Sequence, residues 1–131
     1  MIRDQAYFKS ITEEIIGCAF AVSNTLGAGF VEKVYENALR HELGKTDLLV
    51  QQQFPIRVQY DEIVVGDFVA DLLIQDEIIV ELKAVKALDK SHFAQCMNYL
   101  KATDKRVALL INFGAPRIEV KRIVNSQAKA L

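Results

Sequence analysis

Near the start of the chain, apolar side chains recur at three- and four-residue steps. Phe8, Ile11, Ile15, Ala19, Val22 and Leu26 make one stripe, the pattern of an amphipathic helix. Gly27-Ala28-Gly29 ends it with residues able to take positive φ. A second helix is expected from about Phe30 to Leu43, with Gly44 as its stop. The pattern then changes to strands. Val50 to Tyr60 leans towards strand with a break at Pro55, while Ile63 to Ile74 and Ile78 to Val85 are rich in β-branched residues. Gln75-Asp76-Glu77 between the latter two reads as a hairpin loop. A helix is expected from about Asp89 to Ala102, then strands over Arg106 to Phe113 and Arg117 to Val124, joined through Gly114-Ala115-Pro116. The order α-α-β-β-β-α-β-β predicts one α/β sandwich around a mixed sheet, with residues 1–131 as one domain.

Composition narrows the class. With 131 residues, 51% hydrophobic and 25% charged, the chain can bury a sizeable core, and wholesale disorder is excluded. No apolar run approaches the ~18 residues of a membrane helix. The N-terminal MIRDQAYFKSITEEII lacks the basic-then-apolar order of a signal peptide, so the cytoplasm is the expected compartment. Cys18, Cys96, His41 and His92 are scattered and make no zinc motif; the cysteines are expected to be free, buried small hydrophobes.

A formal net charge of −1 excludes a strongly basic protein that coats nucleic acid, but the charge is uneven. Residues 63–82 carry Asp67, Asp71, Asp76, Glu77 and Glu81 with no base. Residues 83–106 carry Lys83, Lys86, Lys90, Lys101, Lys105 and Arg106 against Asp89 and Asp104. An acidic hairpin followed by a basic segment could hold a cation beside a polyanion. Ordinary variation of surface charge gives the same counts.

The hairpin sharpens this. A three-residue loop pairs Ile74 with Ile78, which sets Asp71 opposite Glu81 and Val69 opposite Lys83. Directly opposed like charges are destabilising. A divalent cation between the carboxylates removes the penalty and uses both as oxygen ligands. Register decides the matter, because a two-residue turn would put the two acids on opposite faces. Glu81 and Lys83 also interrupt an otherwise apolar run from Ile78 to Val85, and buried charges need a partner, a metal or a function. A structural Asp71–Lys83–Glu81 ion cluster, or an exposed edge-strand face, accounts for the same spacing.

Two helical sets could converge there. Glu32, Tyr35 and Glu36 share a face, as do His92, Gln95 and Tyr99, with Phe93, Met97 and Leu100 turned to the core. A carboxylate in a helix's first turn also complements the dipole, which explains Glu32 without any chemistry.

Asp71 followed after nine residues by Glu81-Leu82-Lys83 resembles the D-x(n)-E-x-K core of the PD-(D/E)XK nuclease superfamily. Ala70 stands where that superfamily often has Pro. Gln95-Cys96-Met97-Asn98-Tyr99 is similar to the Q-x-x-x-Y helix motif of its recombination-exonuclease branch. Gly29-Phe30-Val31-Glu32-Lys33-Val34-Tyr35 matches the G-x-x-E-x-x-Y signature of the GxxExxY protein family, and the text from Gly29 to Val124 looks like that family.

The resemblance implies a restriction-endonuclease-like α-β-β-β-α-β core with a mixed sheet, plus an N-terminal helix and a C-terminal strand. It implies a Mg²⁺-dependent nuclease, with Mn²⁺ as a substitute, acting on nucleic acid and most readily on DNA. Asp71, Glu81 and the Leu82 carbonyl would hold the metal, with Glu32 joining through water and Glu36 as the alternative helical acid. Lys83 would position the attacking water or pair with the phosphate, Gln95 would orient the nucleophile or Lys83, and Tyr99 would contact the backbone or support Gln95. A small domain needing a longer DNA surface could form a homodimer. The rival is a binding domain with a nuclease-like fold and no turnover.

Overall fold

The computed structural model describes residues 4–129. Helix α1 spans Gln5–Leu26, and Asp4 caps it by accepting the Tyr7 N–H at 3.0 Å. Gly27, at φ +68°, ends it, and the predicted stripe from Phe8 to Val22 is the buried face. Helix α2 spans Glu32–Leu43 and begins two residues later than the pattern suggested, because Val31 is extended. Strands β1 (Val50–Tyr60), β2 (Ile63–Ile74) and β3 (Ile78–Lys83) follow. Helix α3 (Lys90–Thr103) leads to β4 (Val107–Asn112) and β5 (Glu119–Val124).

The sheet order is β1-β2-β3-β4-β5, with β3 and β4 parallel across α3 and every other pair antiparallel. The mixed α/β architecture expected from the element order is therefore present. Alternation along the central strands sends Leu72, Ile74, Ile78, Val80, Leu82, Leu109 and Ile111 to the side of α1 and α2. Leu73, Ile79, Ala108 and Leu110 face the side of α3 with Cys96, Tyr99 and Leu100. Covering on both faces explains why β3 and β4 read as nearly unbroken apolar runs.

The expected break at Pro55 does not occur. β1 is an edge strand, where a missing N–H costs no ladder bond, and it runs through Pro55. The strand is irregular elsewhere: the register with β2 shifts between Val58 and Gln59, and a second distortion lies two residues before Pro55. Gln53 adopts φ +58° and is skipped between the Gln52–Leu72 and Phe54–Ala70 pairs, in the row of Asp71. Downstream of this point Phe54 and Ile56 pack on the α3 side, whereas Val50 packs on the α1–α2 side.

Glu36 locks α2 to this distorted row. Its carboxylate, 3% exposed, accepts from Gln52 at 2.5 Å, Gln53 at 3.0 Å and Lys33 at 3.0 Å. Burial would push its carboxyl up, but the Gln52, Lys33 and Gln53 bonds outweigh that and hold it below the usual range. Glu36→Ala removes the acceptor that ties α2 to β1 and is expected to cost about 1–3 kcal/mol in denaturant unfolding, since Lys33 and Gln53 are exposed and Gln52 keeps Asn37; Glu36→Gln should cost less.

Candidate functional site

The hairpin register is the one counted from the sequence. Ile74 pairs with Ile78, Leu73 with Ile79 and Leu72 with Val80, and Gln75 and Asp76 take the left-handed conformations the loop needs. The backbone ladder then stops at Leu72–Val80. The expected Val69–Lys83 pair is absent from it, and at the next row side chains replace the ladder. The Asp71 N–H donates to Glu81 Oε1 at 2.8 Å, and the Leu82 N–H donates to Asp71 Oδ2 at 2.8 Å. Each acid thus satisfies the opposite strand's backbone where the strands part, and each keeps a second oxygen, Asp71 Oδ1 and Glu81 Oε2, outside these bonds.

This placement is electrostatically unfavourable for two anions. Burial raises the Glu81 carboxyl to about 8; the charge of Asp71 adds to it, opposed by the Asp71 N–H and Lys83. Burial likewise raises Asp71 to about 6 against its bond from Leu82, with Glu36 and Glu32 raising it further and Lys83 lowering it. A buried Glu81 and a half-buried Asp71 that repel each other and keep spare oxygens suit a hard divalent cation, so the residues present fit the metal that the expected chemistry needs. Among the described residues no three His, Cys, Asp or Glu side chains converge tightly enough to form a larger ligand group.

Lys83 closes β3, and its Nζ donates to Gln95 Oε1 on α3 at 2.9 Å. The strand ends here, two residues before the expected Val85, because the Asn112 side chain takes over the chain. Asn112 Oδ1 accepts the Val85 and Gly114 N–H groups, and Nδ2 donates to the Val85 carbonyl at 2.9 Å. The Phe113 N–H donates to the Lys83 carbonyl at 2.8 Å. Gly114 permits this approach: a Cβ there would lie 2.4 Å from the Val85 backbone nitrogen. Gly114→Ala must displace backbone and is expected to cost about 1–3 kcal/mol in thermal or denaturant unfolding.

The helical residues sort themselves. Tyr99 is buried among Ile56, Ala70 and Leu100, and burial, then Glu81 and Asp71, push its phenol up. Cys96, one turn before Leu100, is a buried free thiol raised to about 12 chiefly by burial. His92 does not join the Gln95–Tyr99 face in any visible chemistry; its Nδ1 accepts the Asp89 N–H and completes a capping box. Phe93 and Met97 are only half-buried against the core.

On α2, Glu32 is exposed in the first turn, yet its charge raises both Asp71 and Glu81. The residues around it are fixed by Tyr35, whose hydroxyl donates to the Gly27 carbonyl at 2.5 Å and accepts the Phe30 N–H at 3.2 Å. The Tyr35 ring stacks on Phe113 at 4.7 Å, and Gly29 turns the loop at φ +118°. In Gly29-x-x-Glu32-x-x-Tyr35, glycine and tyrosine thus build the loop that presents the glutamate. The structure links Asp71, Glu81 and the Leu82 backbone by one set of hydrogen bonds and Lys83 to Gln95 by another, with the Lys83 charge acting on both acids, Tyr99 beside Gln95 and Glu32 acting from further away.

Sequence reasoning passed over a groove of about 990 Å³ between α3 and the outer part of the β1–β2 hairpin, lined by Arg57, Phe68, Gln95, Asn98, Tyr99 and Lys101 among others. Its one legible signal was apolar residues in a stretch of β2 with no need to be buried.

No helix among the described residues is long and apolar enough to cross a membrane. No curated protein matches the chain at a significant level. The crystal structure of SSO0001 superimposes with a TM-score of 0.57 at 19% identity, covering 92% of this chain and 60% of that one. This chain therefore spans less than two thirds of that protein's length, and at such identity the likeness concerns the fold. A profile of the PD-(D/E)XK nuclease superfamily matches residues 9–123, over the strands and helices that assemble Asp71, Glu81, Lys83 and Gln95. The chain belongs to the PD-(D/E)XK nuclease superfamily.

Proposed function

We propose that this protein, read as one domain of the GxxExxY branch, is a Mg²⁺-dependent nuclease that hydrolyses phosphodiester bonds, with DNA as its substrate. The observation carrying this reading is the pair of buried Glu81 and half-buried Asp71, each crosslinked to the opposite strand, with Lys83 held on Gln95 at the same strand end. An ion cluster kept only for structure would gain nothing from raising both carboxyls. Asp71 and Glu81, with the Leu82 carbonyl and Glu32 through water, are the groups that would hold Mg²⁺ or Mn²⁺. A divalent cation supplies charge stabilisation at the phosphate and a water of lowered pKa.

The chain's own residues do the rest. Lys83 gives a cationic hydrogen-bond donor to the scissile phosphate or the attacking water, and Gln95 fixes where its ammonium lies. Tyr99 supports Gln95 from the core side. Glu32 adds negative charge that strengthens cation binding without itself carrying the proton transfer.

The test is cleavage of labelled single- and double-stranded DNA and RNA with Mg²⁺, Mn²⁺ or chelator, on wild type and Glu81→Ala. Metal-dependent cleavage lost in Glu81→Ala is expected. Binding without cleavage by the wild type across the panel would replace this reading with a non-catalytic domain. Gln95→Ala, which frees Lys83 without removing it, is expected to lower the cleavage rate about tenfold, less than loss of Lys83 itself.

A further inference from the structure

The β1–β2 hairpin outlasts its support. β3 pairs only with Leu72–Ile74, so β2 from Ile63 to Asp71 extends as a two-stranded arm with β1 alone. This arm and α3 are the walls of the groove of about 990 Å³. The volume sits at the upper end for small-ligand pockets, about 300–1,000 Å³.

Three features of the groove point to its occupant. First, its charged lining residues are Arg57 from the arm and Lys101 from α3, with no acid among the residues that line it. Two exposed carboxylates lie at its margin: Asp67 makes only a loose 3.9 Å contact with Arg57 Nε, and Asp89 is taken up by Ser91 at the start of α3. Second, Phe68 is 48% exposed although it projects into the groove beside the buried Tyr99 ring, 5.8 Å away and tilted by 45°. Gly66 leaves the room that ring occupies, since a Cβ there would come within 3.2 Å of Phe68 Cε2. Third, Gln95 lines the groove and also bonds Lys83, so the groove opens onto the candidate active site.

A groove that presents an exposed aromatic face, two cations and the amide of Asn98 has the chemistry that receives a base and its flanking phosphates. A paired base offers no free face to such a ring. We propose that the groove binds an unpaired strand of nucleic acid, one base stacking on Phe68 and phosphates meeting Arg57 and Lys101, and so feeds a single strand to Lys83. The last step rests on the nuclease reading above; binding itself does not.

The chain contains no tryptophan, which gives the test a clean signal. Phe68→Trp installs a single indole where the base should stack. Titration in chelator with single-stranded DNA, single-stranded RNA and duplex of matched length separates binding from cleavage. Either single strand is expected to bind tighter than duplex and to quench the indole. Phe68→Ala should weaken single-strand binding about 10- to 100-fold. Arg57→Ala and Lys101→Ala should each flatten the slope of log affinity against log salt by about 0.7. Duplex binding as tight as single-strand binding, or wild-type affinity in Phe68→Ala with no quench in Phe68→Trp, overturns the proposal. Quench and strand preference with no metal-dependent cleavage would uphold the groove and overturn the nuclease reading. Cleavage of duplex and single strand alike, without quench, would do the reverse.

Discussion

Lys83→Ala is expected to lower metal-dependent cleavage about 10²–10³-fold while the fold and cation affinity survive. The Nζ of Lys83 is fixed by Gln95 Oε1 at 2.9 Å, and its charge acts on both Asp71 and Glu81. One preorganised donor aimed at developing charge is worth roughly 3–4 kcal/mol of barrier. Removing it leaves Asp71 and Glu81 in place, so a Mg²⁺-induced rise in unfolding temperature should persist. Lys83→Arg keeps the charge but not the compact ammonium, and should recover only part of the rate. Single-turnover cleavage beside thermal unfolding separates these effects. Unchanged cleavage in Lys83→Ala would place the chemistry elsewhere.

The second large effect is on stability, and its sign follows from the raised carboxyls. In the folded state Glu81 holds its proton to about 8 and Asp71 to about 6. In the unfolded chain both release it near pH 4. Across that interval the folded state binds more protons, so these two groups stabilise it fully below about pH 4. That contribution is lost as pH rises, until Glu81 ionises in the folded state as well. Glu81→Gln keeps a carbonyl to accept the Asp71 N–H and cannot ionise. It is therefore expected to be more stable than wild type at pH 8 by a few kcal/mol, and nearly equal to it at pH 4. Mg²⁺ should narrow the gap at pH 8, because a cation takes the place of the proton, and should do so less at pH 5. Glu81→Gln should show no such response. A variant less stable than wild type at every pH, with no metal effect on either protein, would mark the pair as a structural ion cluster.

Much of the site was legible because strand pairing is counted in whole residues. Once Gln75–Glu77 was taken as a three-residue loop, Asp71 had to meet Glu81, and it does. What counting could not supply was where the ladder ends. The strands part after Leu72–Val80, an event driven by the Asp71 and Glu81 carboxylates capturing the opposing N–H groups, so Val69 never reaches Lys83 in the ladder. Pro55 misled for a related reason: its cost depends on whether a strand is at an edge, which is a property of the sheet and not of the segment. The distortion instead fell on Gln53, whose side chain is called away to Glu36. Helical spacing correctly grouped Glu32 with Glu36 but could not say that one is exposed and the other a buried clamp on β1. The groove required the arm of β2 and the face of α3 together, so Phe68 and Lys101 carried no shared signal along the chain.

The claim on which the nuclease reading depends is that Asp71 and Glu81 hold a divalent cation beside Lys83. Diffraction from crystals soaked in Mn²⁺, recorded at the manganese absorption edge, measures this directly. One anomalous peak bonded to Asp71, Glu81 and the Leu82 carbonyl is expected in the wild type and should vanish in Glu81→Gln. A peak held by other residues, or an empty Asp71–Glu81 pair in crystals whose other sites have filled, would contradict it.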